Sequence, residues 1–494
     1  MSPLARLPIA IALGAVGIWT SVGIAHPAGA AASVAAIAVG VMIVTVPMRR
    51  SVVRIGNLTW SQEELCRHVL ITGDTGCGKT SSGFNNLLVR LTRSIPDWGG
   101  LVVGVKGDEH EFLCCLLETN GRERDLVRLQ VRPSDAPQSW EPPHRFNLLS
   151  DRSLPWTAHA KAIVDTAASL TEGRQDAFFK PMAQIALANA LHLLEEIDEP
   201  VTLIRAYHLL TSGRVLADAL EQLQQNEATE SRIRLSDFFH STFIESKAPE
   251  QREGIEGTIK TYFGFFLDPD LAGVFSSDKP NTLEIGDVDA GAIISTSLPQ
   301  RFVSERRYVN TYLKILFFYH ALRRYELPKE QQAKRNQLLF VADEYQEVVT
   351  ASADGVSDHT VIDRIRGARC AIIAGMQSEV SADPAIGRDK RKVLALNFRT
   401  RFIFRAADTE GATASADFIG KKQVWKRSKS SKAWSSVTHS RREDEDYIIK
   451  PTKLMQLRDH HAVVVHPSKR HSRKLLTPVD GTGKTPAWFR RWRV

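Results

Sequence analysis

The sequence predicts an α/β fold with an inserted all-α region, and three observations support this fold class. A glycine-rich loop lies between an apolar run of strand type, residues 68–72, and a segment with leucines at helical spacing, residues 81–92. A second continuous apolar run, residues 337–342, ends in two adjacent acids, which is typical of a strand covered on both faces. Residues 155–266, between these parts, are rich in helix-period runs.

The glycine-rich loop, residues 73–80, reads GDTGCGKT and matches the phosphate-binding pattern G-x-x-x-x-G-K-T in its required strand–loop–helix context. The glycines let the backbone bend so that N–H groups surround phosphate oxygens at a helix N-terminus, where the dipole favours negative charge. Lys79 is predicted to reach the β- and γ-phosphates, and the Thr80 hydroxyl to bind Mg²⁺. The residues predicted to contact ATP are Gly73, Thr75, Gly76, Cys77, Gly78, Lys79, Thr80 and Ser81.

A phosphate-binding loop of this kind requires an acidic element at the end of another buried strand, and two adjacent acids supply it. Asp343 is predicted to bind Mg²⁺, and Glu344 to polarise the attacking water in a hydrolysis reaction. The alternative is a strand that merely ends in solvated acids. The next apolar strand, residues 370–375, is followed by Gln377, which we expect to report the state of the γ-phosphate. For Gln377 alone, a helix-cap or turn role is the alternative.

A helical stretch between these two strands, residues 358–369, carries Arg364, Arg366 and Arg369 near its end. Arginines at such a position can be solvated, or they can cap the C-terminus of a helix. In a ring ATPase, the same cluster can supply an arginine finger that acts on the nucleotide of the neighbouring subunit.

The composition excludes several classes of protein. Hydrophobic residues make up 43% and charged residues 24% of the 494-residue chain, so it is neither fully disordered nor collagen-like. The five cysteines form no C-x-x-C pair and no metal-spaced set with histidine, which argues against a disulfide scaffold or a zinc module.

The positive charge is concentrated at the C-terminal end. Residues 421–494 hold 19 Lys and Arg against 6 Asp and Glu, a net +13, whereas the whole chain carries +8. This asymmetry favours a polyanionic partner, either nucleic acid or anionic lipid, over a solvated basic face. Residues 421–445 are interpreted as an exposed loop or arm whose Trp425 and Trp434 suit stacking on single strands. A strand pair with a basic edge explains these residues equally well.

The N-terminal part is apolar. Residues 7–48 contain no Asp, Glu, Lys or Arg, and a His-Pro break divides them into two segments of 19 residues. A helix of this length spans about 28 Å, one hydrocarbon core. Flanking arginines predict a hairpin with both ends in the cytoplasm, and hence a multi-pass membrane protein with its bulk in the cytoplasm. A cleaved signal peptide is the alternative.

Several of these segments together resemble type IV secretion coupling proteins, which are membrane-anchored hexameric ATPases that hand DNA–relaxase complexes or effector proteins to a secretion channel. The motifs that carry the resemblance are ITGDTGCGKTSS, VKGDEHEF, HRFNLLSD, FVADEYQEVV and IAGMQSEV, and the similarity continues through residues 397–422 and 448–465. The resemblance implies a RecA-like P-loop nucleotide-binding domain with an inserted all-α domain, preceded by an N-terminal two-helix transmembrane hairpin.

The resemblance also implies site residues, cofactors and partners. It assigns Lys79 and Thr80 to nucleotide and Mg²⁺, Asp343 and Glu344 to the Walker B motif, Gln377 to the following strand and Arg366 to the finger position. It implies ATP and Mg²⁺ as cofactors, a homo-hexamer and a location in the bacterial inner membrane. The implied partners are DNA, single-stranded and relaxase-linked, or a secreted protein, together with channel components and the membrane. The chain departs from the family pattern in its short turn between the apolar segments and in Asn147-Leu148, where the family has Asn-Pro.

The expected domains are the hairpin at 1–50, the first part of the nucleotide-binding domain at 51–150, an all-α accessory domain at 151–270, and the second part at 271–494. The leading hypothesis is ATP-driven delivery of DNA or DNA–protein substrate to a conjugation channel. The alternatives are a DNA translocase of the chromosome-segregation type, a coupling ATPase for protein effectors, and a nucleotide-gated membrane receptor without catalysis. Glu344 argues against the last, because a pure binding site has no use for a water-activating carboxylate.

Overall fold

The computed structural model describes residues 51–492 except for short gaps at 106–108, 171–177, 353–354 and 431–437. The hairpin predicted for residues 7–48 lies outside the described residues. From Val52 onward the chain forms one compact unit.

The described elements alternate between strands and helices in the first third and last half of the chain. The strands are β1 (Ser51–Ile55), β2 (Leu58–Ser61), β3 (Val69–Thr72), β4 (Gly99–Val103), β5 (Leu126–Gln130), β6 (Ile293–Ser297), β7 (Leu338–Ala342), β8 (Cys370–Met376), β9 (Thr400–Ile403), β10 (Lys421–Ser430), β11 (Thr438–Tyr447), β12 (His461–Val465) and β13 (His471–Leu475). The helices are α1 (Gln62–Leu65), α2 (Asn85–Ser94), α3 (Glu109–Thr119), α4 (Trp156–Leu170), α5 (Phe179–Glu196), α6 (Leu203–Thr211), α7 (Gly213–Gln225), α8 (Glu230–Phe239), α9 (Pro249–Phe263), α10 (Pro269–Phe275), α11 (Val303–Arg323), α12 (Lys329–Lys334), α13 (Asp358–Ile365), α14 (Asp383–Ile386), α15 (Arg388–Asn397), α16 (Thr409–Ile419), α17 (Pro451–Met455) and α18 (Ala487–Trp492).

A large mixed sheet positions the site. Within the described residues it has nine strands in the order β13-β12-β9-β3-β8-β7-β4-β6-β5. Neighbouring strands from β9 to β5 are parallel, while β12 runs antiparallel to β9 and to β13. Every residue of β3, β7 and β8 is buried, which explains why their sequences are continuous apolar runs. Because these strands are parallel, their carboxyl ends meet at one edge of the sheet.

The predicted mixed α/β class is confirmed by this sheet. The apolar runs at 68–72, 337–342 and 370–375 contain β3, β7 and β8. The leucine-bearing segment after the glycine-rich loop forms a π-helical turn, Lys79–Phe84, that continues into α2. Leu87, Leu88 and Leu91 of that segment are buried against the sheet, as their helical spacing predicts.

The helices α4–α10 fill the chain between β5 and β6, where the sequence predicts an all-α insertion. They share one hydrophobic core with a face of the sheet: Ile163 of α4 and Leu187 of α5 belong to the same buried cluster as Leu101 and Phe340 of the strands. A second cluster on the opposite side of the sheet includes Leu91. The division of the chain into separate domains therefore stays a prediction.

The basic segment after residue 420 forms a strand pair. β10 and β11 are antiparallel over ten residues each and form their own two-stranded sheet, with Lys421 opposite Tyr447 at its base. The structure thus has the strand pair that the sequence left as an alternative to an irregular exposed arm.

The multi-pass membrane localisation predicted from the sequence is contradicted by the described structure. Between residues 51 and 492, outside the gaps, no helix is both long and apolar enough to cross a membrane. The 21-residue helix α11, for example, carries Arg306, Arg307 and Lys314 among its apolar residues.

The close approach of β4 to its neighbours requires glycine. Gly100 lies in β4 between β6 and β7, and a Cβ atom at this position would lie 2.0 Å from the carbonyl oxygen of Leu339. We expect Gly100→Ala to lower the free energy of unfolding by about 1–3 kcal/mol, because the strands would have to separate. Urea denaturation measures this change. The control is Gly257→Ala in helix α9, where an added Cβ atom would have no atom within 4 Å outside the backbone of its own helix. Alanine there should raise the free energy of unfolding by about 0.5–1 kcal/mol. A Gly100→Ala protein as stable as the wild type would contradict the β4–β7 pairing.

Candidate functional site

The glycine-rich loop connects the carboxyl end of β3 to the π-helical turn. Gly76 and Gly78 have φ angles of 77° and 100°, in the left-handed region that favours glycine. The Gly78 carbonyl accepts hydrogen bonds from the amides of Ser82 (2.9 Å) and Gly83 (3.3 Å), so the first helical turn begins at Gly78. The loop therefore presents successive N–H groups at the start of a helix, which is the arrangement that binds phosphate.

Lys79 lies across this loop. Its side chain is buried, and Nζ donates a hydrogen bond of 2.8 Å to the carbonyl oxygen of Gly73. The ammonium group therefore lies against the first residue of the loop, where it can neutralise phosphate charge. Thr75 is exposed at the tip of the loop, while Cys77 is fully buried. Burial raises the pKa of the Cys77 thiol, so this residue packs the loop as a neutral group.

The structure brings Thr80 and Asp343 together. Thr80 Oγ1 donates a hydrogen bond of 2.7 Å to Asp343 Oδ2, although the two residues are 263 positions apart in the chain. A hydroxyl and a carboxylate are hard oxygen donors of the kind that Mg²⁺ accepts alongside water and phosphate oxygens. In the described part of the chain no cluster of three or more His, Cys, Asp or Glu residues could hold a metal ion. This pair fits Mg²⁺ that is shared with a nucleotide, rather than an ion caged by protein alone.

Glu344 follows Asp343 in a strained backbone conformation. Its φ and ψ are 57° and 52°, a left-handed conformation that is uncommon outside glycine and frequent at functional sites. Its carboxylate accepts a hydrogen bond of 2.8 Å from the Gln346 side-chain amide. Gln346 is a residue that sequence reasoning missed, and its position two residues after the acid pair is the only signal that could have suggested it.

Gln377 reaches the loop through its backbone. The Gly73 amide lies within hydrogen-bonding distance of the carbonyl oxygens of Gln377 (3.2 Å) and Met376 (3.3 Å), so the end of β8 holds the first residue of the loop. The Gln377 side chain is exposed.

Arg366 is not brought to these residues within one chain. It lies just after α13 and before β8, its side chain is about half exposed, and Nη2 is 3.9 Å from a carboxylate oxygen of Glu63. Glu63 precedes β3, so both residues lie near the amino ends of their strands, while Thr80 and Asp343 lie at the carboxyl ends. The seven residues of β8 separate these edges by about 20 Å. The other two arginines of the cluster bond backbone carbonyls, Arg364 to Thr360 and Arg369 to Ala333.

A buried polar network, which sequence reasoning missed, lies next to the acid pair. Lys314 and Asp358 are both fully buried and form an ion pair. Asp358 also accepts hydrogen bonds from the Tyr345 hydroxyl and from the amide of Thr350 (2.7 Å), and Lys314 donates to the carbonyl of Val348. Burial lowers the pKa of Lys314, and the carboxylate of Asp358 opposes that shift. The network ties α11 and α13 to the segment that follows Glu344.

A second set of residues that sequence reasoning missed packs against the other side of the phosphate-binding loop. The His460 amide donates a hydrogen bond of 2.8 Å to the Cys77 carbonyl, and its Nδ1 lies 2.8 Å from Ser82 Oγ. Arg405, just after β9, contacts Asp459 (2.7 Å) and Asp74 (3.5 Å) through its guanidinium group. These residues come from the last hundred positions of the chain, so no local motif links them to the loop.

Comparison with known proteins agrees with this geometry. The family model described as the type IV secretion-system coupling protein DNA-binding domain matches residues 146–477, more than half of the chain. No curated protein matches the chain.

Solved structures of one conjugative coupling protein share the fold. The unbound monoclinic form of the bacterial conjugative coupling protein TrwB is similar with a TM-score of 0.63 and 16% identity, over 89% of this chain and 92% of that chain. TrwB in complex with ADP and Mg²⁺ gives a TM-score of 0.59 at 15% identity, with the same coverage. TrwB in complex with a non-hydrolysable ATP analogue gives 0.60 at 16% identity. The family match over residues 146–477 places the chain, by its sequence, in the type IV secretion-system coupling protein family.

Proposed function

We propose that this protein is an ATPase that couples hydrolysis to the delivery of DNA, or of a DNA–protein conjugate, to a type IV secretion channel. The observation that carries the proposal is the 2.7 Å contact between Thr80 and Asp343, because it joins the phosphate-binding loop to the acid pair. Family membership supports DNA as the substrate. The TrwB structures with ADP and Mg²⁺ support a nucleotide with Mg²⁺ at this loop.

Each residue then has a role in phosphoryl transfer. The loop amides and Lys79 hold the phosphates, and Thr80 with Asp343 would hold Mg²⁺, which spreads the developing charge. Glu344 accepts a proton from the attacking water. At the same time the water oxygen forms a bond to the γ-phosphorus, and the bond between the γ-phosphorus and the ADP oxygen breaks. The Gln346 amide holds one oxygen of the Glu344 carboxylate, and both carboxylate oxygens keep the capacity to accept a proton.

Two variants distinguish the phosphate-binding role from the water-activating role. We expect Lys79→Ala to lose ATP binding and hydrolysis, whereas Glu344→Gln should keep binding and lose at least about 100-fold in hydrolysis. Equilibrium nucleotide binding and phosphate release measure the two effects. Lys390→Ala, at an exposed position of α15, is the control. Hydrolysis at the wild-type rate in Lys79→Ala would disprove the assignment of the loop.

If Arg366 takes part in hydrolysis, the active site must be shared between subunits. With Arg366 at the opposite edge of the sheet, it could act only on the nucleotide of a neighbouring subunit. We therefore propose a homo-hexameric ring in which Arg366 is the arginine finger in trans. Gln377, exposed at the end of β8 beside Gly73, is proposed to respond to the terminal phosphate.

Mixing variants tests the finger. Arg366→Ala should bind ATP normally and hydrolyse it about 1000-fold more slowly, because a finger acts on transition-state charge. Mixing it with Glu344→Gln subunits should restore part of the activity, since some interfaces then join an intact Glu344 to an intact Arg366. Arg369→Ala, which removes a neighbouring arginine, is the comparison in the same assay. If folded, oligomeric mixtures show no recovery, Arg366 is not a trans finger.

The hairpin of β10 and β11 is the proposed DNA contact. Its register places Lys426 opposite Arg442 and Arg427 opposite Arg441. The register thus pairs basic residues of the two strands, and such a concentration of positive charge favours an anionic partner. We also propose that the core at 51–150 and 271–494 is the motor, and that the helices at 151–270 engage the substrate.

The salt dependence of DNA binding tests this contact. Reversing the charge of Lys426 and Arg427 should weaken binding to all DNA sequences alike and lower the slope of log K against log salt concentration by about 0.7–0.9 for each lost phosphate contact. Filter binding at several salt concentrations with single- and double-stranded DNA measures the slope. Reversing Lys390 and Lys392 on α15 makes the same charge change elsewhere. An unchanged slope in the hairpin variant would exclude it as a phosphate contact.

A further inference from the structure

The strand order shows on which side of the loop the nucleotide base must lie. β3, which leads into the loop, has β8 and then β7 on one side, and β9 and then β12 on the other. Asp343 follows β7, so the terminal phosphate and its Mg²⁺ belong to the β8–β7 side. The rest of a nucleotide that is held at the loop therefore extends toward β9 and β12.

His460 occupies that side of the loop. It immediately precedes β12 and is fixed by the two hydrogen bonds to Cys77 and Ser82. Its imidazole packs so closely on the loop that a Cβ atom on Gly78 would lie 2.5 Å from Nδ1. His460 holds a left-handed φ of 60°, a conformation that costs energy for a residue with a side chain. The ring is thus seated firmly against the phosphate-binding loop.

The last helix of the chain adds two aromatic rings. In α18, Phe489 is buried and its ring meets the His460 imidazole edge-on, with centroids 5.0 Å apart. The indole of Trp488 lies beside the same imidazole, with centroids 5.7 Å apart and planes inclined by 41°. Trp488 is nevertheless 53% exposed. Phe489 therefore anchors the helix, while the large aromatic face of Trp488 remains open to solvent at the edge of the loop.

We propose that Trp488, backed by His460, is the platform on which the base of the bound nucleotide stacks. The proposal rests on the function proposed above, because it adds a base subsite to the same nucleotide site. Stacking on an aromatic ring contributes binding energy from any base, since every base presents a π face. The platform therefore distinguishes a nucleoside triphosphate from bare triphosphate, and it discriminates only weakly between adenine and guanine.

The binding of three ligands tests the platform in the full chain. The ligands are ATP, GTP and inorganic triphosphate, each with Mg²⁺, and the measurement is the dissociation constant. Trp488→Ala should raise the dissociation constants of ATP and GTP by about 10-fold each and leave that of triphosphate unchanged, because only the stacking energy is lost. Trp488→Phe, which keeps an aromatic face, should restore most of the affinity. Leu396→Ala, at an exposed position of α15, should bind all three ligands like the wild type.

The outcomes separate failure of the platform from failure of the proposed function. If Trp488→Ala binds ATP normally while Lys79→Ala loses both ATP and triphosphate, the platform is wrong and the nucleotide site stands. If Trp488→Ala loses as much affinity for triphosphate as for ATP, the indole supports the loop and not the base. That result also disproves the proposed stacking platform. If Lys79→Ala keeps its affinity for both ligands, the loop itself is misassigned.

Discussion

The parallel pairing of β3, β8 and β7 is the constraint on which the whole site depends. Ile373 in β8 is opposite Val69 of β3 on one side and Val341 of β7 on the other, so the three strands end together at one edge. This register brings Thr80 to Asp343 and lets the end of β8 hold Gly73. A slip of one residue in either pairing would turn the side chains to the opposite face and separate these groups.

The ion pair of Lys314 and Asp358 connects helices α11 and α13 to the segment that follows the acid pair. Burying two charges costs several kcal/mol per ion, and removing one partner of such a pair typically costs about 3–5 kcal/mol. The same carboxylate accepts hydrogen bonds from Tyr345, one residue after Glu344, and begins the helix that ends just before Arg366. The pair therefore fixes the segment after Glu344 and the start of α13 relative to each other.

The sequence predicted what local pattern and composition determine. Continuous apolar runs marked the buried strands, and the motif spacing marked Lys79, Thr80, Asp343 and Glu344, because each depends on its immediate neighbours. It could not predict that Gln377 holds the loop through its backbone, that Gln346 binds Glu344, or that His460 packs on Gly78, since these contacts follow from strand order over hundreds of residues. The multi-pass localisation is contradicted because no described helix can cross a membrane, and the hairpin on which that prediction depended, residues 7–48, lies outside the described residues.

The charges around the loop bear on the arginine finger proposed for Arg366. Phosphoryl transfer spreads negative charge over the terminal phosphate, and Lys79 supplies one buried cation to the loop. Arg405 is also close to the loop, but its guanidinium contacts Asp74 and Asp459 and follows β9, on the side away from Asp343. Under the proposed mechanism, a further cation for the terminal phosphate would approach from the β7 side. If Arg366 of a neighbouring subunit is that cation, hydrolysis would depend on assembly of the proposed ring.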